Sequence, residues 1–253
     1  PPAGILGEDT ICPPVSSQNY TVSAVAGALH YSWILPSGAV ALSDKDSIAI
    51  TIQFLSDFYG GELYFLGIND CGTDTLCSFY IHSLRPKIPA LISGDLYGLC
   101  SLTESYRCAY DPLVSNYVWS VPAGATILSG QGTDSIEVQF GASAISGDLV
   151  VYGIATCMNS DTVSFPLTDL PGTAGYISGN IGVCANQSNL YYSVYPIVGT
   201  TYYLWTLPPG AMQTSPGNSN SIMITMGASS GQVTMTPLSN CSSGSTVTKQ
   251  VNV

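Results

Sequence analysis

The sequence predicts an all-β protein built as three tandem β-sandwich modules in an elongated rod. Three observations carry that prediction. The chain writes one passage three times: "YSWILPSGAVALSDKDSIAITIQF" from Tyr31, "YVWSVPAGATILSGQGTDSIEVQF" from Tyr117 and "YLWTLPPGAMQTSPGNSNSIMITM" from Tyr203. Within each copy apolar residues alternate with polar ones, as in Ile136, Val138 and Phe140 against Glu137 and Gln139. That period of two marks strands with one buried face. No stretch carries a convincing helical period of 3.6.

The spacing is regular. Trp33, Trp119 and Trp205 are separated by 86 residues each time, as are Pro36, Pro122 and Pro208 and then Gly38, Gly124 and Gly210. Such self-similarity is the signature of a repeat architecture. Each copy opens with a Gly followed by a Cys ("LGEDTIC", "ISGDLYGLC", "ISGNIGVC"). A strand containing Tyr20, Tyr106 or Tyr192 follows. The Trp strand comes next and breaks at Pro-x-Gly, because Pro donates nothing to a ladder and Gly accepts unusual φ. An aliphatic strand then leads to a second Cys ("GINDC", "GIATC", "PLSNC"). The Pro-bearing stretches "LRPKIP" (Leu84 to Pro89) and "DLPGTAG" (Asp169 to Gly175) read as short linkers. They set module boundaries at 1–86, 87–171 and 172–253. About seven short strands in about 85 residues, with an aromatic on the third, suggest an immunoglobulin-like sandwich. Trp33, Trp119 and Trp205 are the expected core anchors.

Composition excludes some partners. There are 5 Lys+Arg against 16 Asp+Glu, for a net charge of -11. Five scattered cations cannot neutralise a phosphate backbone, so no nucleic-acid partner is expected. Charged residues are 8% of the chain and hydrophobic ones 45%, too apolar for a disordered acidic tail. No apolar run approaches the roughly 18–20 residues of a membrane span, and no signal-peptide core opens the chain. The sequence is therefore read as a mature piece of something longer.

Six of the eight cysteines repeat: Cys12 and Cys71, Cys100 and Cys157, Cys184 and Cys241, with separations of 59, 57 and 57. One pair per module in an exported protein predicts one disulfide per module, worth about 4 kcal/mol each on chain entropy. Metal binding is the weaker reading, since no C-x-x-C occurs. Cys77 and Cys108 are left over. They align with Val163 and Val22, and read as buried free thiols in preference to a bridge between modules.

The pattern of Gly then Cys, a Tyr-led strand, "Y-x-W-x-x-P-x-G-A", "GQGTDSIEVQFG" and an aliphatic strand ending at Cys resembles the PKD-like modules of Bacteroidota. The second copy matches best; the first has "SDKDS" and the third "SPGNSNS" in place of the Gly-rich turn. The resemblance implies long, repetitive surface proteins exported by the type IX system. Some of these are gliding or filament-forming adhesins, and others are large enzymes that carry the modules as spacers.

No catalytic constellation is expected. His30 and His82 do not recur between copies, and no G-x-S-x-G elbow is present. No cofactor is implied. Calcium is a secondary reading at the turns holding Asp44 and Asp46 and Asp70 and Asp74, set against ordinary solvated turns. The triplet Asp-Ser/Thr-aliphatic resembles the O-glycan acceptor of Bacteroidota and nominates Thr10, Ser47, Thr75, Ser135 and Thr162 as candidate glycosylation sites. The competing reading is backbone hydrogen bonding where a turn enters a strand. Sixteen Tyr on a low-charge surface suit packing against neighbouring modules or further copies of the chain, or stacking on surface polysaccharide. The sequence therefore points to a structural segment of an extracellular, cell-surface adhesin or filament. The alternative is a carbohydrate-binding or spacer segment of a secreted polysaccharide-degrading enzyme.

Overall fold

The computed structural model describes residues 4–143 and 145–253, with side chains for all of these except 73–76. Among the described residues every regular element is a strand. The first repeat has β1 (Ile5–Leu6), β2 (Thr10–Ile11), β3 (Val15–Val22), β4 (His30–Ile34), β5 (Ala39–Ala41), β6 (Ala49–Phe54), β7 (Gly61–Asn69) and β8 (Gly72–Ser83). The second has β9 (Leu91–Ser93), β10 (Thr103–Cys108), β11 (Val114–Ser120), β12 (Ala125–Ser129), β13 (Ser135–Phe140), β14 (Ser146–Ala155) and β15 (Val163–Thr168). The third has β16 (Leu190–Ser193), β17 (Tyr202–Thr206), β18 (Met212–Gln213), β19 (Ser221–Thr225), β20 (Gly231–Leu238) and β21 (Val247–Val251).

Each repeat is a two-sheet sandwich. The first pairs a sheet of order β1-β3-β6-β5 with one of order β2-β8-β7-β4; the second has β12-β13-β10-β9 and β11-β14-β15; the third has β16-β19-β18 and β17-β20-β21. This is the strand order of an immunoglobulin-like domain. Among the described residues two pairings run parallel: β2 lies beside the end of β8, with Ile11 opposite Ser83, and Gly182 bridges Asn252.

The repeated residues hold each sandwich in the same way. Trp33, Trp119 and Trp205 are buried on β4, β11 and β17. Each indole Nε1 donates to a carbonyl in the turn 14 residues on: Ser47 at 2.8 Å, Thr133 at 2.9 Å and Ser219 at 2.9 Å. A buried indole N–H needs that partner. Tyr20, Tyr106 and Tyr192 are fully buried, and their hydroxyls donate to Glu8 O, Asp95 O and Asn180 O. The opening glycine of each repeat follows from this. A Cβ on Gly7, Gly94 or Gly179 would overlap the ring of its Tyr. Gly38, Gly124 and Gly210 have φ of 77°, 87° and 77°, which is why the turn after the Trp strand ends in Gly.

The chain divides into two compact units. The first is Pro1–Pro89 with Tyr110–Tyr117 and Tyr152–Thr162. The second is Ala90–Ala109, Val118–Val151 and Val163–Val253. Two segments of the second repeat thus cluster with the first repeat, and the rest of it clusters with the third.

Candidate functional site

The cysteines correct the sequence expectation. Cys12 is bonded to Cys157 (Cα–Cα 5.5 Å) and Cys100 to Cys241 (6.0 Å), while Cys71, Cys77, Cys108 and Cys184 are free. There is therefore no disulfide within a repeat. Each bond joins the first cysteine of one repeat to the second cysteine of the next.

The topology explains this. Cys12 follows Ile11, beside Ser83 at the end of β8. Cys71 sits in the hairpin that begins β8, between Asn69 and Gly72. A strand of 12 residues separates the two positions, roughly 35 Å at the usual rise. A disulfide needs Cα atoms about 4.4–6.8 Å apart. The third repeat is built alike. Val183 N donates to Asn252 O at 3.0 Å, and Val251 pairs with Gly231, so Cys184 lies at the Gly231 end of β20. Cys241 follows Leu238 at its opposite end. In the first and third repeats the two cysteines therefore lie at opposite ends of the sandwich and cannot meet.

Around each bond the chain buries polar groups. The buried polar and charged residues among those described are Arg85, Asp111, Ser160, Asp169 and Ser239. Arg85 and Asp169 lie in the linker segments, and Asp111, Ser160 and Ser239 lie in loops between strands. Burial of such groups is costly unless they are paired.

In the first unit, Leu84 N donates to Ile11 O at 2.8 Å and carries the β2 pairing into the linker. Ser83 Oγ donates to Phe58 O and accepts from Arg85 N. Arg85 turns inward. Its Nη2 donates to Asp161 Oδ2 at 2.6 Å, and its guanidinium lies 4.6 Å from the centre of the Tyr59 ring. Lys87 N donates to Asp111 Oδ2 at 2.7 Å. Asp111 is itself fixed, since its other oxygen accepts from Leu113 N and its own N–H donates to Tyr117 Oη. Ser160 Oγ accepts from Gly153 N and donates to Asp161 O, bracing the loop that carries Cys157.

In the second unit the joint is neutral apart from Asp169. Gly98 N donates to Leu170 O at 2.9 Å, Leu99 N to Thr168 O at 3.1 Å and Gly172 N to Val198 O at 2.9 Å. Ser239 Oγ donates to Asp169 O at 2.7 Å, and Ser242 Oγ donates to Asp169 Oδ2. Asn240 Nδ2 donates to Cys100 O at 3.3 Å. Gly98 and Gly199 face each other backbone to backbone, with φ of 69° and 70°. A Cβ on Gly98 would overlap the Gly199 carbonyl.

Thr10, Ser135 and Thr162 are exposed and Ser47 is half-buried; the Thr75 side chain lies outside the described residues. The triplet aspartates have local partners: Asp9 accepts from Thr10 Oγ1, Asp134 from Arg107 Nε and Asp161 from Arg85. Asp46 accepts from His30 and from Tyr31 N, and the His30 hydrogen bond, then that of Tyr31, holds its carboxyl below the ordinary range. Asp44 accepts from Asp46 N. The Asp74 side chain lies outside the described residues, and among those described no group of three or more His, Cys, Asp and Glu gathers. His82 packs edge-on against Tyr80. Burial pushes the Cys108 thiol up to about 11 and also raises that of Cys77.

A second feature had no signal in the repeat pattern. On the third repeat Tyr176, Tyr191 and Tyr195, which are 72%, 57% and 80% exposed, line one shallow groove with Ser178, Ser193 and Asn220. Tyr191 points outward because its neighbour Tyr192 fills the core.

A family model described as "PKD-like domain" matches the chain three times, over residues 1–81, 85–167 and 170–253. No curated protein matches by sequence. Among solved structures, the FN1–FN3 domains of chicken CNTN1 align over 100% of this chain and 99% of that one, at 9% identity and a TM-score of 0.41. The Escherichia coli adhesin FdeC aligns over 100% and 99%, at 13% identity and 0.32. The Bacteroides ovatus protein SGBP-B of a mixed-linkage glucan utilization locus, solved with a mixed-linkage heptasaccharide, aligns over 97% of this chain and 65% of that one, at 14% and 0.26. At these identities and scores they are no guide to function. No helix among the described residues is long and apolar enough to cross a membrane.

Proposed function

The chain belongs to the PKD-like domain family in three tandem copies, and we propose that it is a structural segment of an extracellular surface adhesin or filament. The observation that carries this reading is the placement of both disulfides across joints between repeats. A spacer that only had to reach could use flexible linkers. Here each linker region is tied by a covalent bond and by buried, paired polar side chains. A device of this kind transmits force and orientation from one repeat to the next. Disulfides also fit an oxidising compartment, which supports export. The reading needs no catalytic residue and no cofactor. Export by a Bacteroidota type IX system, and glycans at Thr10, Ser135 or Thr162, are further parts of this proposal that rest on the sequence resemblance.

Electron microscopy of the protein as released from its native cells, with intact-mass analysis, tests the reading. Beaded filaments or rods heavier than the peptide are expected. Dispersed particles carrying a catalytic domain would overturn it.

A second reading is favoured by one observation, the groove of Tyr176, Tyr191 and Tyr195. Exposed tyrosines flanked by Ser and Asn suit a polysaccharide, which offers apolar sugar faces and hydroxyls. Under it, Tyr191→Ala with Tyr195→Ala abolishes retention on a soluble-glycan affinity gel. Equal mobility of variant and parent protein with every polysaccharide tried would remove the reading.

A further inference from the structure

The outer face of the third repeat differs from the same face of the other two. Tyr191 lies opposite Met223 across the β16–β19 pair. The corresponding pairs are Ser105 opposite Glu137 in the second repeat and Asn19 opposite Thr51 in the first. Register fixes the correspondence, because each pair adjoins the one made by the buried Tyr: Tyr192 with Ile222, Tyr106 with Ile136, Tyr20 with Ile50. In the second repeat Arg107 Nε donates to Asp134 close by, and in the first Thr51 Oγ1 donates to Asn19 Oδ1. All three sandwiches form, so the fold does not require Tyr191 and Met223 at this place.

The face is ordered in rows. Tyr191, Ser193 and Tyr195 alternate with the buried Leu190, Tyr192 and Val194, so all three face outward. Ser193 lies opposite Ser221 in β19 and bridges Ser178 on its other side. Continuing that bridge by two residues sets Tyr176 across from Tyr195, and both line the same groove. A row of three Ser therefore separates two apolar rows, Tyr176 with Tyr195 and Tyr191 with Met223. From Tyr191 to Tyr195 is four residues, roughly 13 Å of strand, longer than one sugar ring. Tyr191 and Met223 also line a second groove, so Tyr191 stands between two hollows. Asn220 Nδ2 donates to Val194 O at 2.9 Å, which leaves its Oδ1 as an acceptor in the first groove.

Charge and composition narrow the occupant. Among the described residues no Lys, Arg, Asp or Glu lines either groove, and the chain carries a net charge of -11. An acidic polymer would meet like charge and find no cation there to pair with. A protein partner fits less well, because interface cores are depleted in Ser and Ser holds the middle of this face. A sugar chain offers apolar ring faces bordered by hydroxyls, which match the two apolar rows and the row between them.

We propose that this face binds a neutral, linear polysaccharide along a run of several sugar units. One unit lies on Tyr176 and Tyr195 and another on Tyr191 and Met223, and the Ser row hydrogen-bonds the sugars between them. The inference rests on the polysaccharide reading of the tyrosine groove and deepens it, by setting the charge of the ligand, its minimum length and Met223 as a contact.

The test titrates the full chain with cello-, manno- and xylo-oligosaccharides of two to six units, and with oligogalacturonate as the acidic counterpart. Calorimetry gives the affinity, and carbon-13 methyl NMR of the five Met gives the place. At least one neutral series is expected to bind about tenfold more tightly at six units than at two. It should shift Met223 and leave the buried Met226 and Met235 unmoved. Tyr191→Ala and Tyr195→Ala each remove one row. Each is expected to weaken the six-unit chain about tenfold and flatten the length dependence, with unchanged circular dichroism. Equal affinity for two and six units, with Tyr191→Ala still abolishing binding, would overturn the extended site and leave the tyrosine-groove reading standing. Tighter binding of oligogalacturonate would overturn the proposal in the same way. No binding and no Met223 shift with any of these sugars would remove both the inference and that reading. Self-association lost in Tyr191→Ala, without sugar binding, would assign the face to protein contact instead.

Discussion

Around Cys12–Cys157 the joint is ionic, with Arg85 buried against Asp161 and Tyr59 and with Asp111 receiving Lys87 N. Around Cys100–Cys241 it is neutral apart from Asp169, which is held by Ser242 and Ser239, and it closes on two facing glycines. The strand order, the Trp and Tyr anchors and the cysteine positions are common to both; the polar chemistry is not. The difference shows what the repeat fixes. The repeated passage and cysteine positions of this chain go with the shared sandwich and the shared disulfide placement. Each joint is then finished by whichever local residues can satisfy the buried backbone and side-chain groups.

The largest effect tests what is shared. Each disulfide encloses a sequence separation above 140 residues, and chain entropy puts the cost of its loss at about 5 kcal/mol. Cys12→Ala with Cys157→Ala, and Cys100→Ala with Cys241→Ala, should each lower the chemical-denaturation midpoint by similar amounts while strand content by circular dichroism is retained. A large effect from one pair and none from the other would break the equivalence of the joints.

The next two experiments test what differs. Gly98→Ala puts a Cβ into the Gly199 carbonyl at a positive φ of 69°, and about 2–3 kcal/mol of destabilisation is expected from overpacking and backbone strain. Hydrogen exchange should locate the loss in the second unit and leave the first unchanged. Asp161→Asn leaves the buried Arg85 without its counter-charge. Because Asp161 is 54% exposed, water screens the pair, and the expected cost is only about 1–2 kcal/mol. It should appear in the first unit and shrink in high salt. A Gly98→Ala effect smaller than that of Asp161→Asn would reverse the ranking.

The smallest effect is one of pH. Burial raises the Cys108 thiol from 9.0 to about 11 and also raises the phenols of Tyr20 and Tyr106. A raised folded-state value means that the stability these groups contribute is fully present below the unfolded values. It is lost as pH climbs from about 9 through about 11. Thermal melts should fall across that window, and Cys108→Val should flatten only its lower part. An identical profile for the variant would remove Cys108 from the account.

Much of the sandwich was legible because it depends on local periodicity. The alternation of Ile136, Val138 and Phe140 places them in the core and leaves Glu137 and Gln139 outside, as the burial pattern of β13 has it. The recurrent Trp, Tyr and Gly were legible as structure for the same reason. The pairing of cysteines was not read correctly, because equal spacing says only that two cysteines recur. Their place in the strand order decides the partner. One cysteine precedes the first long strand and the other lies in the hairpin joining the last two. In a sandwich those positions are at opposite ends, which disfavours a bond within the repeat. The pairing of Arg85 with Asp161 carried no signal, since the two are 76 residues apart and the pair does not recur. The tyrosine groove likewise comes from residues outside the repeated passage.

The central claim is that the cysteines staple one repeat to the next. Digestion of the native protein without reduction, after blocking free thiols, tests it most directly by mass spectrometry of the linked peptides. The account predicts Cys12–Cys157 and Cys100–Cys241. Peptides joining Cys12 to Cys71, Cys100 to Cys157 and Cys184 to Cys241 would contradict it.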